Sequence, residues 1–213
     1  MATEYGFHFN STICTGCKAC VMACNDRNDL ASGESIRKVY EFGAGSWTAG
    51  ADAGTYTNDV VIFYASLTCQ QCDMPKCLAA CSYGAMSKDG QTGIVMIDPD
   101  TCVGCMSCQE ACPYHHPTLD SENNLAKKCM LCIDEPNADG TPNPACAQAC
   151  PMRALEFGVL SDLQAAYGSV NTIGIFDDAT QPCVVITPRS AADLAAQVEL
   201  LNPNELPGVS AWS

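Results

Sequence analysis

Few stretches of this chain alternate apolar and polar positions cleanly, and those that do are short. GIVMID at 93–98 is rich enough in Ile and Val to predict a strand, and SKDGQTG at 87–93 predicts the turn that leads into it. QPCVVITP at 181–188 predicts a second strand. SDLQAAYG (161–168) and SAADLAAQVELL (190–201) each open on a serine cap and predict helices. Residues 31–60 are Gly-rich with few periodic signals, which predicts a loop with short strands, anchored by Tyr40 and Trp47. IDEPNADGTPNPA at 133–145 predicts a Pro- and Asn-rich loop. The longest apolar run, VVIFYASL at 60–67, is too short to cross a bilayer. A soluble chain is therefore expected, with any membrane link made through a partner.

Cysteine organises the rest. Four runs use sixteen of the seventeen cysteines. Cys14, Cys17, Cys20 and Cys24 are spaced x2, x2, x3, and Cys69, Cys72, Cys77 and Cys81 are spaced x2, x4, x3. Cys102, Cys105, Cys108 and Cys112 repeat x2, x2, x3, and Cys129, Cys132, Cys146 and Cys150 are spaced x2, x13, x3. Only Cys183 stands apart, and its place in an apolar run predicts a small buried hydrophobe rather than a reactive thiol. The repeat is the strongest organising signal in the sequence.

Such a cysteine content raises the possibility of a disulfide scaffold. Those scaffolds are usually short secreted chains, and MATEYGFHFN has neither the basic region nor the apolar stretch of a signal peptide. Clumped thiols also suit staples poorly, because C-x2-C neighbours strain a mutual disulfide. Twenty-four acids against ten bases give a net charge of −14, which disfavours nucleic acid. Thiolates are soft ligands for zinc, copper(I) or iron–sulfur clusters. Four-thiolate zinc is the serious metal alternative, but it would leave the third and fourth cysteines of a compact run unused. CVGCMSCQEACP, ending on Pro113, is instead the bacterial ferredoxin pattern, in which the fourth cysteine serves the other cluster. Four 4Fe–4S clusters are expected.

The hairpin between the second and third runs places those two together. Cys69, Cys72 and Cys77 would then take Cys112, while Cys102, Cys105 and Cys108 take Cys81. The first and fourth runs pair across the middle of the chain, so that Cys14, Cys17 and Cys20 take Cys150, and Cys129, Cys132 and Cys146 take Cys24. First with second and third with fourth is the alternative. The expected fold class is α+β: two ferredoxin-like domains, one of residues 1–30 with 122–160 and one of 64–121, an insertion at 31–63 and an extension at 161–213. Gly16 and Gly104 let backbone N–H groups approach cluster sulfur. Ile13, Val21, Val103, Met130, Leu131 and Ile133 are expected to shield the clusters. Lys18 is either an offset to cluster charge or a solvated lysine. His8, His115 and His116 are the only histidines, and the His-His pair reads as a surface loop, with a redox partner's pocket as the sharper alternative. No nucleophile motif, Walker loop or GxGxxG is present. An electron wire is favoured over a self-contained enzyme, which would normally leave an iron open where sixteen thiols here fill sixteen positions.

With the runs placed, the chain resembles the four-cluster ferredoxin-like electron-transfer subunit of molybdopterin oxidoreductases, and most of all the B subunits of anaerobic dimethyl sulfoxide reductases. EYGFHFNSTICTGCKAC, IRKVYEFGAGSW, GAMSKDG and CPMRALEFG carry the resemblance, with the spacings of the second and fourth runs. It implies a non-catalytic subunit docked on a catalytic subunit that holds bis(molybdopterin guanine dinucleotide) molybdenum, and on an integral membrane anchor that oxidises menaquinol. It places the cluster of Cys102, Cys105, Cys108 and Cys81 on the quinol side, and that of Cys14, Cys17, Cys20 and Cys150 by the catalytic subunit. Some relatives replace one cysteine of the third run, usually with Trp, and build a 3Fe–4S cluster; Cys105 keeps that position here. Ser82 stands where the family usually has Pro, and HHP after Tyr114 is unusual. The resemblance also implies export in the folded state with a signal-bearing partner, to the extracytoplasmic face. S- or N-oxide reduction is the favoured chemistry of the complex. Sibling complexes acting on polysulfide, thiosulfate, tetrathionate, hydroxylated aromatics or formate are the runner-up, and a free polyferredoxin comes third. A docked wire is expected to expose apolar patches around Trp47, Tyr114 and the C-terminal segment.

Overall fold

The computed structural model describes residues 3–170, 180–189 and 199–206. The chain folds as α+β, with short elements between long cysteine-bearing loops. Strand β1 (Tyr5–Asn10) leads to helix α1 (Ala19–Arg27), then to β2 (Lys38–Ala44), β3 (Trp47–Ala49), β4 (Tyr56–Asn58) and β5 (Val61–Leu67). Helix α2 (Lys76–Ala79), β6 (Met86–Lys88), β7 (Val95–Ile97), α3 (Ser107–Glu110), β8 (Thr118–Asp120) and β9 (Leu125–Lys127) form the middle. Helix α4 (Ala145–Gln148), β10 (Leu155–Val159), α5 (Leu160–Tyr167), β11 (Val184–Thr187) and β12 (Glu199–Leu200) follow.

Two sheets hold the larger core. Strand β1 is central in one, antiparallel to β10 and parallel to β11, with Phe7 opposite both Phe157 and Val184. Strand β2 is central in the other, antiparallel to β5 and to β12. A central strand packed on both faces is buried at successive positions, which removes the period-2 signal. Phe7, His8 and Phe9 are consecutive and buried, as are Lys38, Val39 and Tyr40. That is why the stretch expected to be mostly loop contains a full core strand. The boundary expected between 63 and 64 falls inside β5.

The predicted GIVMID strand is β7, paired with β6. Its turn is locked by Asp89, whose carboxylate accepts from the N–H groups of Gln91 and Thr92 and from the Thr92 hydroxyl. QPCVVITP forms β11. The SDLQAAYG helix begins one residue early, after Val159, and no side chain caps it; Ser161 lies inside its first turn. The helix expected at 190–201 falls for the most part on 190–198, outside the described residues. Its described end is strand instead, because Glu199 and Leu200 pair with Gly43 and Phe42 on the open edge of β2. Tyr40 is buried as an anchor should be, but Trp47 is 67 % exposed on the β3–β4 hairpin. Among the described residues no helix is long and apolar enough to cross a membrane.

Candidate metal centres

The first and third runs share a local geometry. In the first, Gly16 and Lys18 have φ of 67° and 60°; in the third, Gly104 and Met106 have 68° and 58°. Alternating right- and left-handed residues turn successive N–H groups inward, the concavity that suits anionic sulfur. The inward groups find the sulfurs: the Gly16 N–H donates to Cys14, Leu131 to Cys129, Ala145 to Cys132, and Ser107 to Cys105. The Ala126 N–H reaches Cys102 Sγ at 3.4 Å, and both Tyr114 and His116 donate backbone N–H groups to Cys112.

The cysteines gather in fours. Cys14, Cys17, Cys20 and Cys150 line one recess, and Cys81, Cys102, Cys105 and Cys108 line another of about 350 Å³ including its mouth. Cys24 lies in the field of Cys129, Cys146 and Cys132, and Cys72 in that of Cys69, Cys112 and Cys77. Helix α1 packs on α4, and α2 on α3. The quartets also neighbour one another in sequence. Cys20 of the first interacts with Cys146 of the second, and Cys129 of the second with Cys69 of the third. Cys77 of the third and Cys108 of the fourth share an apolar cluster with Val95 and Ala126. Cys17 and Cys105 are the two exposed cysteines, one in each end quartet of this series.

Burial pushes the thiols up: Cys72, Cys77 and Cys129 to about 12, Cys108 to about 11, and Cys24 further still. Cys105 goes the other way, lowered by the Ser107 N–H and hydroxyl. A buried thiolate requires strong compensating positive charge, which an iron core supplies. Among the described residues no group of three or more His, Cys, Asp or Glu is placed to hold a single metal ion. Tetrahedral zinc with bonds of 2.3 Å requires sulfurs roughly 3.8 Å apart. Quartets of thiols with N–H groups turned toward them suit a polynuclear group with sulfide of its own.

Other expected residues divide. Leu131 is fully buried, and Val21, Met130 and Ile133 are half-buried; Val103 lines the recess of Cys81, Cys102, Cys105 and Cys108 though 46 % exposed, and Ile13 is 39 % exposed. Lys18 pairs with Glu205, so it is neither free in solvent nor directed only at sulfur. Tyr114 is buried rather than part of an exposed patch, and its hydroxyl bonds Thr180 at 2.9 Å. His116 is not on a surface loop: it is 1 % exposed, Nε2 lies 3.3 Å from the Gln70 amide, and burial holds it neutral. Cys183 is partly buried just before β11, its thiol pushed up to about 11 by burial.

Sequence reasoning missed a set of buried cations. Arg37, Lys38 and Lys128, three of ten bases in the chain, are nearly inaccessible beside the quartets. Lys38 Nζ donates to the His115 carbonyl at 2.7 Å, and its pKa is lowered to about 8 by burial against the opposing field of Cys112. Lys128 Nζ donates to the carbonyls of Val95 and Cys129. Gln71, also buried, bridges the Cys129 carbonyl and the Val95 N–H. The available signal was IRK at 36–38, two bases between apolar neighbours in an acidic chain.

Comparison with known proteins agrees with this chemistry. Residues 60–160 match the 4Fe-4S dicluster domain family, and residues 11–28 a 4Fe-4S binding domain. The sequence is 38 % identical over 210 residues to YnfG of Escherichia coli, a probable anaerobic dimethyl sulfoxide reductase subunit, covering 97 % of this protein and 100 % of the relative. It is 36 % identical over 207 residues to the B subunit of the anaerobic dimethyl sulfoxide reductase of Haemophilus influenzae, covering 95 % and 99 %. Protein NrfC of Escherichia coli is 35 % identical over 159 residues, covering 75 % of this protein and 67 % of the relative.

Proposed function

The protein belongs to the iron–sulfur B-subunit family of anaerobic dimethyl sulfoxide reductases, and from that premise we propose that it passes electrons through four 4Fe–4S clusters between a quinol-oxidising membrane anchor and a molybdopterin catalytic subunit. It is a non-catalytic, electron-transfer subunit that binds 4Fe–4S clusters. The proposed ligand sets are Cys14, Cys17, Cys20 and Cys150; Cys24, Cys129, Cys132 and Cys146; Cys69, Cys72, Cys77 and Cys112; and Cys81, Cys102, Cys105 and Cys108. In this reading the first two sets make one ferredoxin-like unit, residues 1–30 with 122–160, and the last two make another, 64–121.

One observation carries the reading. The quartets form a series of neighbours whose interior members hold no exposed cysteine, while each end has one, Cys17 and Cys105. Apolar side chains stand near both in the sequence: Ile13 and Met22 by Cys17, Val103 by Cys105, all at least 39 % exposed. Two accessible ends with a buried to half-buried middle suit a conductor between two partners, with the Cys17 end at the catalytic subunit and the Cys105 end at the quinol side. Clusters supply reversible one-electron storage. The protein's part is to hold them in order, exclude water and place donors against sulfur. Membrane association is then indirect, on the extracytoplasmic face, and S- or N-oxide reduction occurs in the partner's molybdenum site.

The test is to tag the protein in its native host and purify it anaerobically from mild-detergent extracts. A molybdopterin subunit and a membrane anchor should co-purify. Recovery of the protein alone, stable and with all its iron, would mark it as a free polyferredoxin.

A further inference from the structure

Arg37 is buried to 1 % exposure, as is Lys38 beside it, and stands in the loop just before β2. Its guanidinium has a single anchoring point: Nη1 donates to the Ser66 carbonyl at 3.1 Å and to the Ser66 hydroxyl at 3.2 Å. The Phe7 ring lies 4.7 Å below it. Among the described residues Nε and Nη2 are buried without any hydrogen-bond partner. Among the same residues no carboxylate pairs with it; the groups that act on it are the cysteines Cys146, Cys20, Cys129 and Cys24. Three of these belong to the second quartet and one to the first. Ser66 ties the arrangement together, because its hydroxyl also lies 3.2 Å from Cys20 Sγ.

A buried, unpaired arginine is costly unless something anionic completes it. A guanidinium has five N–H donors and is always protonated, so it is a fixed charge at any working pH. Two nitrogens with three unused N–H groups beside these sulfurs match the sulfide and thiolate surface of a polynuclear cluster, and hydrogen bonds to sulfur raise a cluster's potential. Resting on the cluster reading above, we propose that Arg37 is a positioning residue that raises the reduction potential of the clusters it lies between, the one held by Cys14, Cys17, Cys20 and Cys150 and the one held by Cys24, Cys129, Cys132 and Cys146. Taking up an electron adds one negative charge to the cluster, and Arg37 offsets that charge at the junction between two clusters. The third quartet has its own cations, Lys38 beside Cys112 and Lys128 beside Cys77, and the four sulfurs that act most on Arg37 all belong to the first and second quartets.

The test is redox-poised EPR on the intact complex with Arg37→Gln and Arg37→Lys, after each signal has been assigned by one Cys→Ala variant per quartet. Arg37→Gln should lower the midpoint of the first or the second cluster, or both, by at least tenfold in the reduction equilibrium, about 59 mV for one electron. The third and fourth clusters should hold, and Arg37→Lys should restore most of the shift. Unchanged potentials, an equal shift in all four clusters, or a Lys variant as displaced as Gln would overturn the role of Arg37. If the Gln variant does not accumulate, wild-type protein labelled with 15N-arginine answers the same question. A nitrogen coupling on the reduced signal of the first or the second cluster is expected, and its absence from both overturns the assignment. Wild-type protein without cubane signals would overturn the cluster reading itself, a failure visible before any variant is compared.

Discussion

At the scale of single residues, Gly104 shows how tightly the cysteine loops are drawn. Its φ is 68°, and a Cβ built on it would lie 2.2 Å from the Asn124 carbonyl oxygen. Gly140, in the loop of the fourth run, also has positive φ, 82°, but faces open space. Left-handed backbone costs a non-glycine residue about 1–2 kcal/mol, and Gly140→Ala should lose no more than that. Gly104→Ala must in addition push backbone aside, so the loop that holds Cys102 and Cys105 should open. The check is iron retained after brief mild heating under argon. Gly104→Ala is expected to lose the iron of one cluster while Gly140→Ala matches wild type; equal retention in both would show that the close approach is not what holds the loop.

At the scale of elements, α1 is a nine-residue helix that contributes to two centres. Cys20 and Cys24 lie four residues apart on one face, yet Cys20 joins Cys14, Cys17 and Cys150, while Cys24 joins Cys129, Cys132 and Cys146. Cys24→Ser should therefore abolish or convert the signal of the second quartet and leave the first intact, read by low-temperature EPR. Loss of the first quartet's signal instead would mean that the helix serves the centres differently. The local parts of this arrangement were legible. CTGCKAC and CVGCMSC fix their own turns, and SKDGQTGIVMID contains both the turn residues and the strand of its hairpin. Strands β1 and β2 were not, because their burial comes from partners far along the chain: β10 and β11 for one, β5 and β12 for the other. The cations were hidden for the same reason. Arg37 and Lys38 are adjacent, and in extended chain neighbouring side chains point to opposite sides. In a half-exposed hairpin one of them would reach solvent; here Arg37 meets the sulfurs of the first and second quartets, and Lys38 meets Cys112.

At the scale of the whole molecule, a chain of net charge −14 surrounds cysteine quartets with three of its few bases. Acidic surface and basic interior serve different ends. Like charge outside favours solubility, while buried positive charge offsets the anionic centres the fold encloses. The exposed ends at Cys17 and Cys105 and the exposed Trp47 and Tyr56 of the β3–β4 hairpin are where other subunits would meet it. Everything above the fold depends on what the sixteen cysteines hold. The most direct measurement is joint iron, zinc and acid-labile sulfide analysis of the anaerobically purified protein. Four cubanes predict about sixteen irons and sixteen sulfides per molecule, with no stoichiometric zinc. Zinc at two or more per molecule without sulfide would contradict the account at its root.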